Sequence, residues 1–114
     1  MAYDVELANR YREALMGQES ITEKRMMGGI CFFLSDNMIG GSDRTKEGSG
    51  RFMFRVGKER EAEALSRPGA SIMEQGGRRM GGLVYVEEGA CNSVVMRDWI
   101  ELTLEFVSTL PPKI

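Results

Sequence analysis

The sequence repeats one pattern of residues, first as Lys24-Arg25-Met26-Met27-Gly28-Gly29-Ile30-Cys31-Phe32-Phe33 and again as Arg78-Arg79-Met80-Gly81-Gly82-Leu83-Val84-Tyr85-Val86. Each copy leads from a basic pair through methionine and two glycines into an apolar segment. Glycine beside a strand marks a bulge, a bend or a close backbone approach, and a short apolar run suits a buried strand. Each copy therefore predicts a strand that begins after its glycines, and we expect both strands to belong to one sheet. A hairpin follows the first copy and a helix follows the second, so an internal duplication is not predicted.

The first copy runs into a turn and a second strand. Ser35-Asp36-Asn37 are short polar residues that bond the local backbone and tolerate unusual φ, and Met38 and Ile39 then resume the apolar pattern. The remaining elements are predicted over 3–16 (helix), 21–27, 51–56, 70–74 and 83–86 (strands), 58–65 (helix), and from Asn92 or Ser93 to Pro111 (helix). The polar segment 41–50 is predicted to be a mobile loop.

This order of elements predicts an α+β fold. Short connections favour antiparallel pairing, and such a sheet carries helices on one face. We expect a two-layer domain over residues 1–114, with an antiparallel sheet of about five to six strands and N-terminal, middle and C-terminal helices. In the last helix, an apolar stripe at helical spacing is formed by Val95, Trp99, Leu102, Phe106 and Leu110, flanked by Met96, Ile100 and Val107.

The composition excludes many activities. The chain of 114 residues has no histidine, which removes the commonest general base and metal ligand, and its two cysteines are far apart in sequence. No glycine-rich phosphate loop is present. We therefore expect no catalytic residue, no metal and no cofactor. No signal peptide and no membrane-spanning stretch are recognisable, so a cytoplasmic location without membrane association is expected.

Charge is unevenly distributed along the chain, whose net charge is −2. Residues 23–80 carry eleven bases and eight acids, whereas the segments on either side are acidic. The candidate interaction surface consists of the basic residues of this middle segment that could share one sheet face: Lys24, Arg25, Arg51, Arg55, Arg78 and Arg79. Nucleic-acid phosphates are one ligand for such a surface, and a solvated face is the alternative interpretation.

Four groups of residues resemble a known family. They are Glu23-Lys24-Arg25-Met26-Met27-Gly28-Gly29, Ser35-Asp36-Asn37-Met38, Phe54-Arg55-Val56-Gly57 with Arg67-Pro68-Gly69-Ala70, and Met80-Gly81-Gly82-Leu83-Val84-Tyr85-Val86. Together they are similar to the N-terminal domain of the TfoX/Sxy family, bacterial regulators of natural competence. The resemblance implies an antiparallel α+β fold similar to that of secretion chaperones, and no known catalytic residues. Full-length regulators carry a second, helical domain, to which nothing in these residues corresponds.

The function expected from these features is that of a non-enzymatic, cytoplasmic interaction domain associated with transcription regulation. A protein partner is expected, and a homodimer through a free strand edge or an apolar sheet face is one form it could take. Two alternatives remain at this point: a nucleic-acid-binding module that uses the basic segment 23–80, and a small-ligand-binding domain lined by methionines and glycine backbone.

Overall fold

The computed structural model describes residues 4–26, 28–75 and 77–111. Its elements are α1 (Val5–Ala14), β1 (Ile21–Met26), β2 (Gly29–Leu34), β3 (Asn37–Arg44), β4 (Gly50–Arg55), α2 (Glu61–Leu65), β5 (Ala70–Gln75), β6 (Arg78–Glu87) and α3 (Ser93–Val107). Short 3-10 turns precede α2 and α3. The predicted α+β fold with three helices is confirmed. The predictions that concern Tyr3, Met27, Gly76 and Pro112 lie outside the described residues.

The six strands form one open sheet in the order β1-β2-β3-β4-β6-β5, and every neighbouring pair is antiparallel. The predicted hairpin joins β2 to β3, with Leu34 opposite Asn37. Ser35 and Asp36 form its two-residue turn, with φ of 49° and 68°. Positive φ at both turn residues matches the right-handed twist of the flanking strands.

The prediction of a mobile loop over 41–50 is wrong for residues 41–44 and for Gly50, which belong to strands. Strand β3 continues to Arg44, where it pairs with Gly50 of β4, and only residues 45–49 connect the two strands. Gly41 and Ser42 are buried between β2 and β4. Gly41 and Ser42 are small because neighbouring backbones approach them there, whereas residues 46–49 of the connection are exposed. A Cβ on Gly41 would overlap the carbonyl oxygen of Ile30.

Helices α1 and α3 cover one face of the sheet. Asp4 and Asn92 accept hydrogen bonds of 2.9 Å from the backbone N–H groups of Leu7 and Val95, and so cap the two helices. The face of α3 that packs on the sheet is centred on Met96, Trp99, Ile100, Thr103 and Val107, which are all buried. Val95 and Phe106 of the predicted stripe lie at its margin and are partly exposed.

The core between helices and sheet contains a run of stacked aromatic rings. Tyr11 lies parallel to Phe32 with the ring centroids 4.7 Å apart, and it also stacks on Phe54 at 5.4 Å. Phe54 stacks in turn on Trp99 of α3 at 5.2 Å. Each such pair contributes about 0.5–1.5 kcal/mol beyond the area it buries. The stack therefore links both helices to strands β2 and β4.

Gly40 allows α1 to approach the sheet. The Tyr11 hydroxyl is fully buried and donates a 2.8 Å hydrogen bond to the carbonyl oxygen of Met53. A Cβ on Gly40 would overlap both the Met53 carbonyl oxygen and the Tyr11 hydroxyl. The buried phenol finds its acceptor only because position 40 has no side chain.

We predict that Gly40→Ala lowers the free energy of unfolding by about 3 kcal/mol, since the methyl group overpacks this contact and displaces the Tyr11 hydrogen bond. Gly89→Ala is the matched control, because a Cβ at Gly89 meets nothing within 4 Å. Urea unfolding followed by circular dichroism measures both. Equal stability of the two variants would show that Gly40 does not set the helix–sheet contact.

Candidate interaction surface

The second face of the sheet carries its own apolar cluster. Cys31, Met53 and Met73 are at most 5% exposed, and partly buried hydrophobic side chains surround them: Phe33, Met38, Leu83 and Tyr85. We call these seven residues the open face. Within the described residues, α1, α2 and α3 all pack into the other cluster, so only strand residues form this one. The open face is thus an apolar sheet surface that no described helix covers.

A cation–aromatic pair joins Arg51 to Tyr85 of the open face. Arg51 donates two hydrogen bonds to Asp43 on the neighbouring strand, of 2.7 and 3.1 Å. Its guanidinium carbon lies 3.7 Å from the ring centroid of Tyr85. The bond to Asp43 raises the pKa of Arg51, and burial raises the pKa of Tyr85. Arg51 is therefore a fixed part of this surface whose charge Asp43 neutralises.

Two further cations of the predicted surface lie near one end of the open face. The Lys24 ammonium is 5.5 Å from the ring centroid of Phe33. Arg55 donates a 3.5 Å hydrogen bond to the Met38 carbonyl oxygen, and its guanidinium carbon lies 5.5 Å from the ring of Phe106. Phe33 and Met38 are cross-strand neighbours. A pair of apolar side chains is therefore flanked by positive charge.

The other three predicted residues do not join this surface. Arg25 is opposite Ile30, on the face that the helices cover. Arg79 is hydrogen-bonded to Glu61 of α2, and Arg78 is an exposed residue near the β5–β6 connection. The six basic residues therefore form no continuous patch. Even Lys24 on β1 and Arg51 on β4 are separated by three strand spacings, which is about 14 Å.

Glu61 organises the bulge in β6. Its carboxylate accepts a 2.7 Å hydrogen bond from the Gly82 N–H and also binds Arg79. The Gly82 hydrogen bond and then Arg79 lower the pKa of Glu61. The glycine doublet of the second copy of the repeated pattern, Gly81-Gly82, is thus a structural bend that attaches α2 to the sheet. This agrees with the prediction that the repeated pattern feeds strands through glycine bends.

The sequence prediction chose the cations and missed the apolar side chains beneath them. Cys31, Phe33 and Tyr85 were assigned to strands but not to a surface, and the methionines were predicted only as the lining of an alternative small-ligand site. A signal was present in the uninterrupted apolar run from Ile30 to Leu34, since a strand with helices on one face alone should alternate in polarity. Both faces of β2 are apolar because both contact apolar neighbours.

The cysteine thiols are not available for chemistry. Both cysteines are free and buried, and burial raises the pKa of Cys31 and of Cys91 to about 11. Among the described residues, no three Cys, Asp or Glu side chains are grouped so that they could hold a metal ion. No helix of the described chain is both long and apolar enough to cross a membrane.

Comparison with protein families identifies the domain. The family model described as the TfoX N-terminal domain matches residues 13–107. The chain belongs to this family. The match runs from within α1 to the end of α3, so it includes the entire sheet and the open face. Neither a curated protein nor a solved structure gave a significant match to the chain.

We predict that stability is lost at alkaline pH. Because burial raises the thiol pKa from its ordinary value of 9.0 to about 11 in the folded state, the two neutral thiols stabilise the fold fully below pH 9. This stabilisation disappears between pH 9 and about 11. Urea unfolding across this range should show a falling free energy of unfolding.

The double variant Cys31→Ala/Cys91→Ala serves as the control for this experiment. It should lose less stability over the same range, because only groups other than the thiols still titrate. If the free energy of unfolding fell equally with pH in the two proteins, the loss of stability could not be attributed to the thiols.

Proposed function

We propose that this TfoX N-terminal domain is a non-enzymatic, cytoplasmic interaction domain of a competence-type regulator, and that it binds a protein partner through the open face. The observation that carries the proposal is the set of partly exposed apolar side chains Phe33, Met38, Leu83 and Tyr85 on a sheet face without a described helix. Apolar surface flanked by polar groups is typical of protein interaction sites.

The chemistry of the open face supports a protein ligand. Methionine and aromatic side chains adapt to different apolar partners, and Tyr, Met and Arg are the residues enriched at protein interfaces. Lys24 and Arg55 add positive charge at one end, whereas Asp43 balances Arg51. The best-fitting partner is therefore an apolar segment that carries acidic residues near the Phe33–Met38 pair.

The nucleic-acid alternative has less support. It requires the basic residues of segment 23–80 to act as one surface, but Arg51 and Arg79 are bound to carboxylates and Arg25 lies toward the helix layer. Among the aromatic rings of the described strands, Phe52 and Phe54 are buried beneath the helices. Phe33 and Tyr85 of the open face each lie against a cation, Lys24 or Arg51, which leaves their faces less open to stacking bases. The small-ligand alternative has no observation in its favour on the open face, where the space around Cys31 and Met53 amounts to only about 20 Å³.

The proposal predicts that the open-face variant Lys24→Glu/Phe33→Ser loses its partner. The tagged domain would be used to capture proteins from its source cells, and captured proteins would be quantified by mass spectrometry. We expect at least tenfold less of the specific partner with this variant than with the unchanged domain. Sedimentation at several concentrations would test whether the partner is a second copy of the chain.

The matched control is Arg97→Glu/Val94→Ser, which makes the same kinds of change at two exposed positions of α3. This variant should retain the partner fully, and circular dichroism would check that both variants are folded. Equal loss with both variants, or unchanged capture with the open-face variant, contradicts the proposal. Salt-sensitive binding of duplex DNA that Lys24→Glu abolishes would favour the nucleic-acid alternative instead.

A further inference from the structure

A groove of about 520 Å³ lies along α3 on the helix side of the molecule, away from the open face. One wall is a single side of α3, formed by Val95, Asp98, Trp99, Glu101, Leu102 and Glu105. The other wall is formed by residues between 60 and 68, which include α2 and the turn after it. Residues 95–105 of a helix rise by about 15 Å, so the groove has the length of three helical turns.

The floor of the groove is apolar, and a cation already covers it. Trp99 and Leu102 are 1% and 4% exposed, and Val95 is partly exposed beside them. The Arg67 guanidinium lies over the indole of Trp99, with its carbon 5.0 Å from the ring centroid. Because Arg67 covers the indole and Leu102 is buried, the apolar surface open to an occupant of the groove is that of Val95, Ala90 and Pro68.

The rim of the groove carries more acidic than basic groups. Arg60 pairs with Glu105 at 2.7 Å, and Arg67 pairs with Glu63 at 3.3 Å. Asp98 and Glu101 also line the groove, and both are exposed. Among the described residues, neither of these two carboxylates has an ion-pair or hydrogen-bond partner. The groove therefore presents two unneutralised negative charges beside its apolar floor.

Asp98 and Glu101 stand one helical turn apart, a spacing of about 5–6 Å between Cβ atoms. An occupant must bring two cations at a similar spacing, together with an apolar side chain for the floor. We propose that the groove binds an amphipathic helix of a partner protein, in which two Lys or Arg residues one turn apart flank an apolar residue. Helices of this kind dock in grooves through anchors at i, i+3 and i+4.

This occupant differs in charge from the one proposed for the open face. A basic helix fits the acidic groove, whereas the open face suits an acidic apolar segment. The acidic rim repels phosphates, so nucleic acid is excluded as the occupant on electrostatic grounds. The domain then has two binding surfaces, one on each side of the sheet, and they favour partners of opposite charge.

The test uses a blocked helical peptide of about 15 residues, made of Leu, Ala and Lys, with two lysines one turn apart beside a leucine. Binding is followed by fluorescence, because Trp99 is the only tryptophan of the chain and lies under the groove. We expect saturable binding that weakens at about 1 M salt, where the Debye length is about 3 Å. The double variant Asp98→Asn/Glu101→Gln should weaken binding about fivefold or more.

Three controls decide whether the peptide occupies the groove. Glu6→Gln/Glu87→Gln removes the same number of exposed acids elsewhere and should bind as tightly as the unchanged domain. Lys24→Glu/Phe33→Ser should also bind normally, so that failure of the open-face proposal and failure of this one are separable. The same peptide with glutamates in place of the lysines should not bind.

Two results would overturn the proposal. The first is equal weakening by the groove and control variants, which would mean unspecific attraction to an acidic protein. The second is binding that survives Asp98→Asn/Glu101→Gln unchanged, or that is matched by the glutamate peptide or by duplex DNA.

Discussion

The contact of Tyr11 with Gly40 and Met53 determines how the two layers of this domain fit together. The phenol enters the core above a position without a side chain, and its O–H donates a hydrogen bond to the Met53 carbonyl oxygen of β4. An unpaired buried hydroxyl would cost about 1–3 kcal/mol, so its depth and direction are fixed by a single acceptor. Phe32 and Phe54 then stack on the same ring, and Trp99 follows from α3.

The same contact ties the helix layer to the open face. Met53 accepts the Tyr11 hydrogen bond through its backbone, while its side chain lies in the apolar cluster on the other side of the sheet. Strand β4 thus carries core residues on one face and interaction residues on the other. Because Phe52, Met53 and Phe54 alternate across it, neither surface can shift its register without disturbing the other.

The sequence was sufficient to predict the helices, the hairpin around Ser35-Asp36 and the antiparallel α+β class, because these depend on local periodicity and turn residues. It was misleading over 41–44, where small polar residues indicated a loop although the backbone needed them between two strands. The placement of Thr103 in the core could not be predicted either, since its hydroxyl is satisfied by the Ile39 carbonyl oxygen from a distant strand, at 3.1 Å.

The candidate surface was predicted only in part, for a related reason. Charge is visible in a sequence, but the partner of each charge is not. Arg51 and Arg79 were taken as available cations, and each is bound to a carboxylate distant in sequence, Asp43 or Glu61. Conversely, nothing in the sequence predicted a site at Asp98 and Glu101, because they are two acids among several in the last helix. Only the fold shows that these two acids line a groove, because α2 and the turn after it form the wall that faces them.

The order in which the core is completed follows from the position of Trp99. Strands β1 to β4 pair with their neighbours in sequence, so they can associate as soon as they leave the ribosome. The aromatic stack, however, ends on a side chain of the last helix. A nascent chain must therefore carry Phe54 on an incompletely covered sheet during the synthesis of the next forty or so residues. During that interval both faces of the incomplete sheet expose apolar side chains. This is the stage of synthesis at which the chain most needs protection from aggregation.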